Sequence, residues 1–248
     1  GNQIWTEEHV GVLPDNTYRL ELLMPNHDVN IELMTIRELQ IGGAFTANSK
    51  VYDQTPDATM LLNELSLLNL ADGDQVLLES IVLSFEDAQA ANDKRVHITG
   101  ASIAGADSDK YRLSLVGAPT TLADITKREL TLQGLKANNK TYDALTTATL
   151  DTLTAVLIGV LTPDEVFPLF ANAQANFLQA GAGTAIPVTV SGIVPGGAQS
   201  ENYKITMPED LQADILRASL LVIADNQQKI YDAAVFSPFT ITYQGFAQ

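Results

Sequence analysis

The chain has 248 residues, 46% of them hydrophobic, with 14 Lys+Arg against 30 Asp+Glu for a formal charge of −16, and no cysteine. That charge repels phosphate backbones and anionic lipid, so nucleic acid and membrane surfaces are poor partners. Without thiols there are no disulfides, thiolate metal sites or cysteine nucleophiles, and the longest apolar run, LTAVLIGVL (153–161), is roughly half of what a spanning helix needs.

The first residues lack the basic, apolar, small-residue order of a secretion signal. NTYRLELLMPNHDVNIEL (16–33) reads as strands closing a preceding module. Downstream, short runs alternate with the period of two that half-buried strands show. In YRLSLV, Tyr111, Leu113 and Leu115 share one face while Arg112 and Ser114 take the other; RVHITG (95–100), IPVTVSG (186–192) and FTITYQGF (239–246) behave alike. Turn formers bound them at ADGD (71–74), VGAP (116–119) and VPGGA (194–198). Only TMLLNELSLLNLA (59–71) tolerates a helical reading, with Leu61, Leu65 and Leu68 on one side.

A motif recurs. NSKVYD (48–53) returns as NNKTYD (138–143) and, loosened, as QQKIYD (227–232), with Tyr142 standing 90 residues after Tyr52 and Tyr231 89 after Tyr142. The match extends from TIRELQIGGAFTANSKVYD (35–53) against ITKRELTLQGLKANNKTYD (125–143) to VHITGASIAGADSDKYRLSLVGAPTTLADI (96–125) against VTVSGIVPGGAQSENYKITMPEDLQADI (188–215), and LADGDQV (70–76) echoes LTPDEVF (161–167). A steady period of this size is the signature of repeated domains. It predicts two full copies, 37–126 and 127–216, flanked by partial modules at 1–36 and 217–248. The fold class expected is all-β: tandem antiparallel β-sandwich, Ig-like repeats, with a β-grasp-like fold containing one short helix as the alternative. Partial modules leave open sheet edges, and the two ends are expected to complement one another or to pack on the full copies.

The repeated Tyr-Asp pairs, Tyr52 with Asp53, Tyr142 with Asp143 and Tyr231 with Asp232, could serve acid–base chemistry, but one motif repeated without a second repeated catalytic group argues for structure. Each tyrosine is expected to bury its ring beneath the turn with its hydroxyl on backbone, and each aspartate to cap nearby amides. On that reading Tyr142→Ala removes a buried aromatic, about 3–5 kcal/mol. Asp72 and Asp74, echoed by Asp164 and Glu165, and the pair Asp107 and Asp109, could offer oxygens to calcium; ordinary turn chemistry explains them as well. His9, His27 and His97 are too scattered for a metal site. AGAGTA (180–185) lacks a phosphate-loop spacing, and the sequon at Asn139 is read as incidental.

RELTLQGLKANNKTYD, LTPDEV, ENYKI and LQADI, with their counterparts NSKVYD, LADGDQV, SDKYRL and LADI, resemble the YDG repeat domain of very large bacterial surface and secreted proteins, including filamentous-haemagglutinin-like adhesins. ASLLVIADNQQKIYDAAVFSPFTITYQGF is similar to the start of the sister MBG repeat, in which a glycine usually occupies the place of Asp232. The Met-Pro end of the N-terminal segment resembles a further class of bacterial repeats. The chain departs from the family at Gln54 and Ala144, where glycine generally follows Tyr-Asp, so another turn conformation is expected there.

The resemblance implies a non-catalytic, extracellular, tandemly repeated segment of a bacterial cell-surface adhesin with no catalytic residues; the very short connection ADITKREL (123–130) adds the expectation of a semi-rigid stalk or spacer, and the acidic pairs leave calcium as the one candidate cofactor. Its partners would be neighbouring repeat modules, with no nucleic acid and no membrane insertion. Two other readings stay open: a module that itself binds a host glycan or protein, and edge-mediated assembly. Trp5, the only tryptophan, lies outside both copies, which supplies no repeated sugar platform.

Overall fold

The computed structural model describes residues 10–12, 18–20 and 36–247; Trp5, His9, His27 and most of the first segment lie outside these. It is all-β. Strands β1 (Val10–Val12) and β2 (Tyr18–Leu20) form a hairpin. Repeat 1 comprises β3 (Arg37–Ala47), β4 (Lys50–Val51), β5 (Asp57–Ala58), β6 (Met60–Leu68), β7 (Leu77–Phe85), β8 (Ala91–Ala104), β9 (Tyr111–Ser114) and β10 (Thr120–Thr126). Repeat 2 comprises β11 (Arg128–Gln133), β12 (Lys136–Ala137), β13 (Lys140–Thr141), β14 (Leu150–Asp151), β15 (Val156–Ile158) and β16 (Phe167–Leu169). It continues through β17 (Gln174–Phe177), β18 (Gly183–Ser191), β19 (Val194–Gly196), β20 (Tyr203–Thr206) and β21 (Gln212–Leu216). A last hairpin joins β22 (Leu221–Ala224) to β23 (Ile241–Gln244).

In repeat 1 two sheets, ordered β6-β3-β9 and β4-β10-β8-β7-β5, enclose a core of Ile41, Phe45, Leu83, Phe85, Val96 and Ile125. These residues come from the inward positions of alternating strands, which is why period two was legible. Repeat 2 pairs its strands the same way: β11 lies between β15 and β20, and β21 between β13 and β18. Its longer strands are interrupted. At the matching bend Gly43 and Gly134 both take left-handed φ, +81° and +78°, and a Cβ there would sit 2.2 Å from the Glu64 carbonyl oxygen and 2.1 Å from that of Thr154. Only glycine fits. Repeat 1 carries β3 through the bend as one strand, whereas repeat 2 divides into β11 and β12.

One expectation is corrected and one alternative falls away. The sheets are not antiparallel throughout, because β3 runs parallel to β9, β4 to β10, β11 to β20 and β13 to β21. The ambiguous segment 59–71 holds strand β6, not a helix, with Leu65 and Leu67 half-buried and Glu64, Ser66 and Leu68 exposed in alternation with them. Its eight partners along β3 override the helix propensity of its leucines. Among the described residues the helical elements are two single 3₁₀ turns, Ser108–Lys110 and Ser200–Asn202.

One residue, Lys127, separates β10 from β11. The cores do not stop there: Leu130 and Tyr203 of repeat 2 are fully buried and belong to the core cluster of repeat 1.

Candidate functional site: the joint between repeats

The asparagine, lysine and aspartate of the recurring motif keep the same physical task in both full copies, as does the side chain at Ser49 and Asn139. Asn48 and Asn138 donate from Nδ2 to the hydroxyls of Thr59 (3.1 Å) and Thr149 (3.2 Å). Ser49 Oγ accepts the Asp124 amide at 2.9 Å, as Asn139 Oδ1 accepts that of Asp214 at 2.7 Å, so Asn139 of the sequon is a structural acceptor. The lysine ammonium meets the aspartate Oδ1 at 2.8 Å in Lys50–Asp53, 2.7 Å in Lys140–Asp143 and 2.6 Å in Lys229–Asp232. It also rests over a ring, Phe85 for Lys50 and Phe177 for Lys140. Each aspartate accepts the amide two residues on, from Thr55, Leu145 and Ala234, at 3.0 Å, which is the expected amide cap. Lysine pairing holds Asp143 and Asp232 below the usual carboxylate range; at Asp53 burial opposes it and the Lys50 and Thr55 bonds prevail.

The residue after the aspartate corrects the expectation of a different turn. Gln54, Ala144 and Ala233 have φ of 71°, 65° and 58°, so all three copies keep the left-handed conformation that glycine would adopt freely. The turn is preserved and a side chain is forced into it.

The tyrosines diverge. Tyr52 is 3% exposed, Tyr142 37% and Tyr231 90%. The expected bond of the Tyr52 hydroxyl to backbone is corrected: the hydroxyl crosses into repeat 2 and donates to Asp164 Oδ2 at 2.9 Å. Tyr203 donates to the same oxygen at 2.7 Å, Gln54 Nε2 donates to Asp164 Oδ1 at 2.9 Å, and the Leu161 amide closes the network on the Tyr203 hydroxyl at 3.2 Å. The two rings meet edge to face, 5.4 Å between centroids. Beside them Asn202, fully buried, accepts the Ala90 amide and donates to Gln89 Oε1, both at 2.8 Å. Asp87, paired with buried Lys94, also caps the Gln89 amide and so fixes the turn that Asn202 grips.

This environment sets the charge states. Burial, reinforced by the Asp164 carboxylate, pushes the Tyr52 hydroxyl up to about 12 and raises Tyr203 as well. Burial would also raise Asp164, but the hydrogen bonds from Tyr203, Gln54 and Tyr52 outweigh it and hold the carboxyl below its ordinary range. One ionised acceptor is thus clamped by donors that stay protonated. The chemistry is adhesion between modules, a charge-assisted polar lock in an apolar seam.

Repeat 1 carries the same acid–tyrosine pair at its own leading end. Tyr111 donates to Asp74 Oδ2 at 2.6 Å, and the Ala71 amide donates to Tyr111 at 3.1 Å. Leu39, Val76 and Tyr111 form a small buried cluster there. Asp74 therefore corresponds to Asp164, and Asp107, whose Oδ2 accepts the Gln75 amide at 2.8 Å, corresponds to Gln199, which accepts that of Glu165 at 3.0 Å. Lys110 bonds both Asp74 (3.1 Å) and Asp107 (2.6 Å), so these calcium candidates are tied to an ammonium. Among the described residues no three His, Cys, Asp or Glu side chains come together to hold a metal ion, Asp72 and Asp109 included. His97 lies on β8 between buried Val96 and Ile98 and faces away from the core. Asp164 was legible only as an echo of a turn acid; the recurrence of an acid followed by a tyrosine in both copies, 37 residues on from Asp74 and 39 on from Asp164, was the unused signal.

Two like-folded β units that share a core and lock an acid of one with a tyrosine of the other define a tandem all-β repeat protein. Residues 35–121 and 126–210 each match the YDG domain, and the chain belongs to that family. No protein of curated function and no solved structure matches it.

Proposed function

We propose that this chain is a non-catalytic spacer, a semi-rigid stalk segment of a bacterial cell-surface or secreted adhesin, with neighbouring repeat modules as its partners. The observation that carries this reading is the joint: a one-residue connection, a core running through Leu130 and Tyr203, and the Tyr52–Asp164–Tyr203 lock. Interfaces between domains are ordinarily small, polar and mobile, so a seam buried and bonded in this way favours transmission of orientation from one repeat to the next. The family resemblance supports the bacterial surface setting.

The test is small-angle scattering joined to sedimentation, in calcium and in chelator, on the chain and on a Tyr52→Ala, Asp164→Ala variant. A spacer gives one extended, calcium-independent particle whose distance distribution blurs when the lock is removed. Identical profiles for both proteins, or stiffening only with calcium, would sink the reading; retention on a glycan array would move it to the binding module.

A further inference from the structure

The trailing end of repeat 2 repeats part of the surface that repeat 1 uses at the joint: Tyr142 and Ala182 stand in the places of Tyr52 and Ala90, while Ala144 and Gly181 replace Gln54 and Gln89. Tyr142 donates its amide to the Leu216 carbonyl at 2.8 Å, as Tyr52 does to Thr126 at 2.9 Å. Its ring lines an open cavity of about 500 Å³ together with Gly181, Ala182, Arg217, Leu220 and Phe246. Ala182 is exposed and holds the place of Ala90, whose amide Asn202 takes at the joint. Beyond the cavity the β22–β23 hairpin exposes Leu221, Val222, Ile241 and Tyr243, and its Lys229–Asp232 pair repeats the turn that opens each module. A two-stranded hairpin apolar on both faces requires further strands.

We infer that the Tyr142 cavity is a socket for the leading end of a further YDG-type module. That module presents an Asp–Tyr pair, with the tyrosine hydroxyl on the carboxylate, and an amide side chain where repeat 2 has Asn202. The occupant is not a second copy of this chain, because Lys110 closes the one comparable leading end among the described residues. At the joint the second carboxylate oxygen of Asp164 receives Gln54 from the neighbour; in repeat 1 the corresponding oxygen of Asp74 is taken by Lys110 of its own repeat. Lys110 also stands where Asn202 must be buried, and an ammonium there has no carboxylate to meet in the neighbour's turn. This inference uses the joint geometry alone and holds whether or not the protein is a surface stalk.

The experiment replaces residues 217–248, which form the hairpin wall of the cavity, by a second copy of residues 127–216 carrying Tyr142→Phe, so that the repeat 2 wall of Tyr142, Gly181 and Ala182 is what is tested and the original Tyr142 is the reporter. Nitration by tetranitromethane is then mapped by mass spectrometry. Tyr142 should be modified in the original chain and lose its reactivity, down to that of Tyr52, in the extended one. Asp164→Ala or Asn202→Lys in the added copy should restore modification. Protection that survives both changes, or a Tyr142 that stays reactive beside a folded added copy, overturns the inference. Should the added copy fail to fold, Lys110→Asn in the original chain decides. Opening that end should yield head-to-tail oligomers in which Tyr142 is protected, an unclosed heterologous contact, while a variant that stays monomeric overturns the socket. Concentration-dependent protection of Tyr142 in the unaltered chain would overturn the role of Lys110.

Discussion

Tyr52 and Tyr142 sit in the same turn, beside the same lysine–aspartate pair, with the same backbone bond, yet one is sealed and the other is open. What separates them is the neighbour. Tyr52 meets Asp164 and Tyr203 of the next module; Tyr142 faces a cavity walled by the start of a hairpin. The motif therefore does two jobs that sequence repetition merges. Lysine and aspartate shape the turn in every copy, and the tyrosine between them is the contact that one module offers to the next.

The sharpest way to break this comparison is to truncate the two tyrosines. Tyr52→Ala should cost about 3–5 kcal/mol, the penalty of a buried aromatic, and should separate the unfolding of the two repeats in a calorimetric scan. Tyr142→Ala, for which burial was expected from the sequence, should cost roughly 1 kcal/mol, within the range of ordinary partly exposed positions. Equal losses would show that the tyrosine serves its own turn and not the joint. Next in size is Asp164→Ala, which strands two buried hydroxyls and the Gln54 amide and should cost about 2–3 kcal/mol. Its chief consequence should be loss of coupling between repeats, read as two unfolding transitions by denaturant titration followed by circular dichroism.

The repeats, their strands and the turn were legible because they rest on local rules: alternation along YRLSLV and IPVTVSG, glycine and proline punctuation, and an aspartate that caps an amide two residues away. The partner of Tyr52 was not, since Asp164 lies 112 residues downstream and nothing local distinguishes it from other turn acids. Segment 59–71 stayed open between strand and helix for the same reason, its leucines carrying a helical spacing that pairing with β3 overrides. Parallel pairing was also hidden, because β9 joins β3 across the whole repeat and strand direction leaves no trace in composition. The left-handed backbone at Gln54 and Ala144 contradicted residue preference outright. The conformation is shared by Ala144 and Ala233, so the turn held by the lysine–aspartate pair imposes it, and Gln54 alone gains a compensating bond, to Asp164.

Alkaline titration probes the lock without mutation. An unfolded tyrosine ionises near 10, whereas Tyr52 in the joint is pushed up to about 12 by burial and by Asp164. Between those values the folded state holds a proton that the unfolded state has released, so stability falls as pH rises. The contribution is whole below about 10 and gone above about 12. Asp164, held low, acts in the opposite direction: its contribution is whole above the ordinary carboxylate range and drains as pH drops through its lowered value. Urea midpoints measured from pH about 9 to about 12 should fall more steeply for the chain than for Tyr52→Phe, and parallel slopes would remove Tyr52 as the responsible group.

The smallest effects discriminate most finely. At Ala144 and Ala233 the left-handed backbone costs a non-glycine residue about 1 kcal/mol, and nothing at the side chain offsets it. Glycine relieves that strain but loosens the unfolded chain, by roughly 0.5–1 kcal/mol. Ala144→Gly should therefore gain a few tenths of a kcal/mol, on the order of the scatter for compatible backbone substitutions. Gln54→Gly gives the same relief and loses a bond to a carboxylate, about 1.5 kcal/mol, so its net effect should have the opposite sign. Opposite signs at one position of one turn, measured side by side by denaturant titration, would mean that repeat 1 has given its glycine position to the joint while repeat 2 retains only the turn. Two gains would mean that the Gln54 amide adds nothing to the seam.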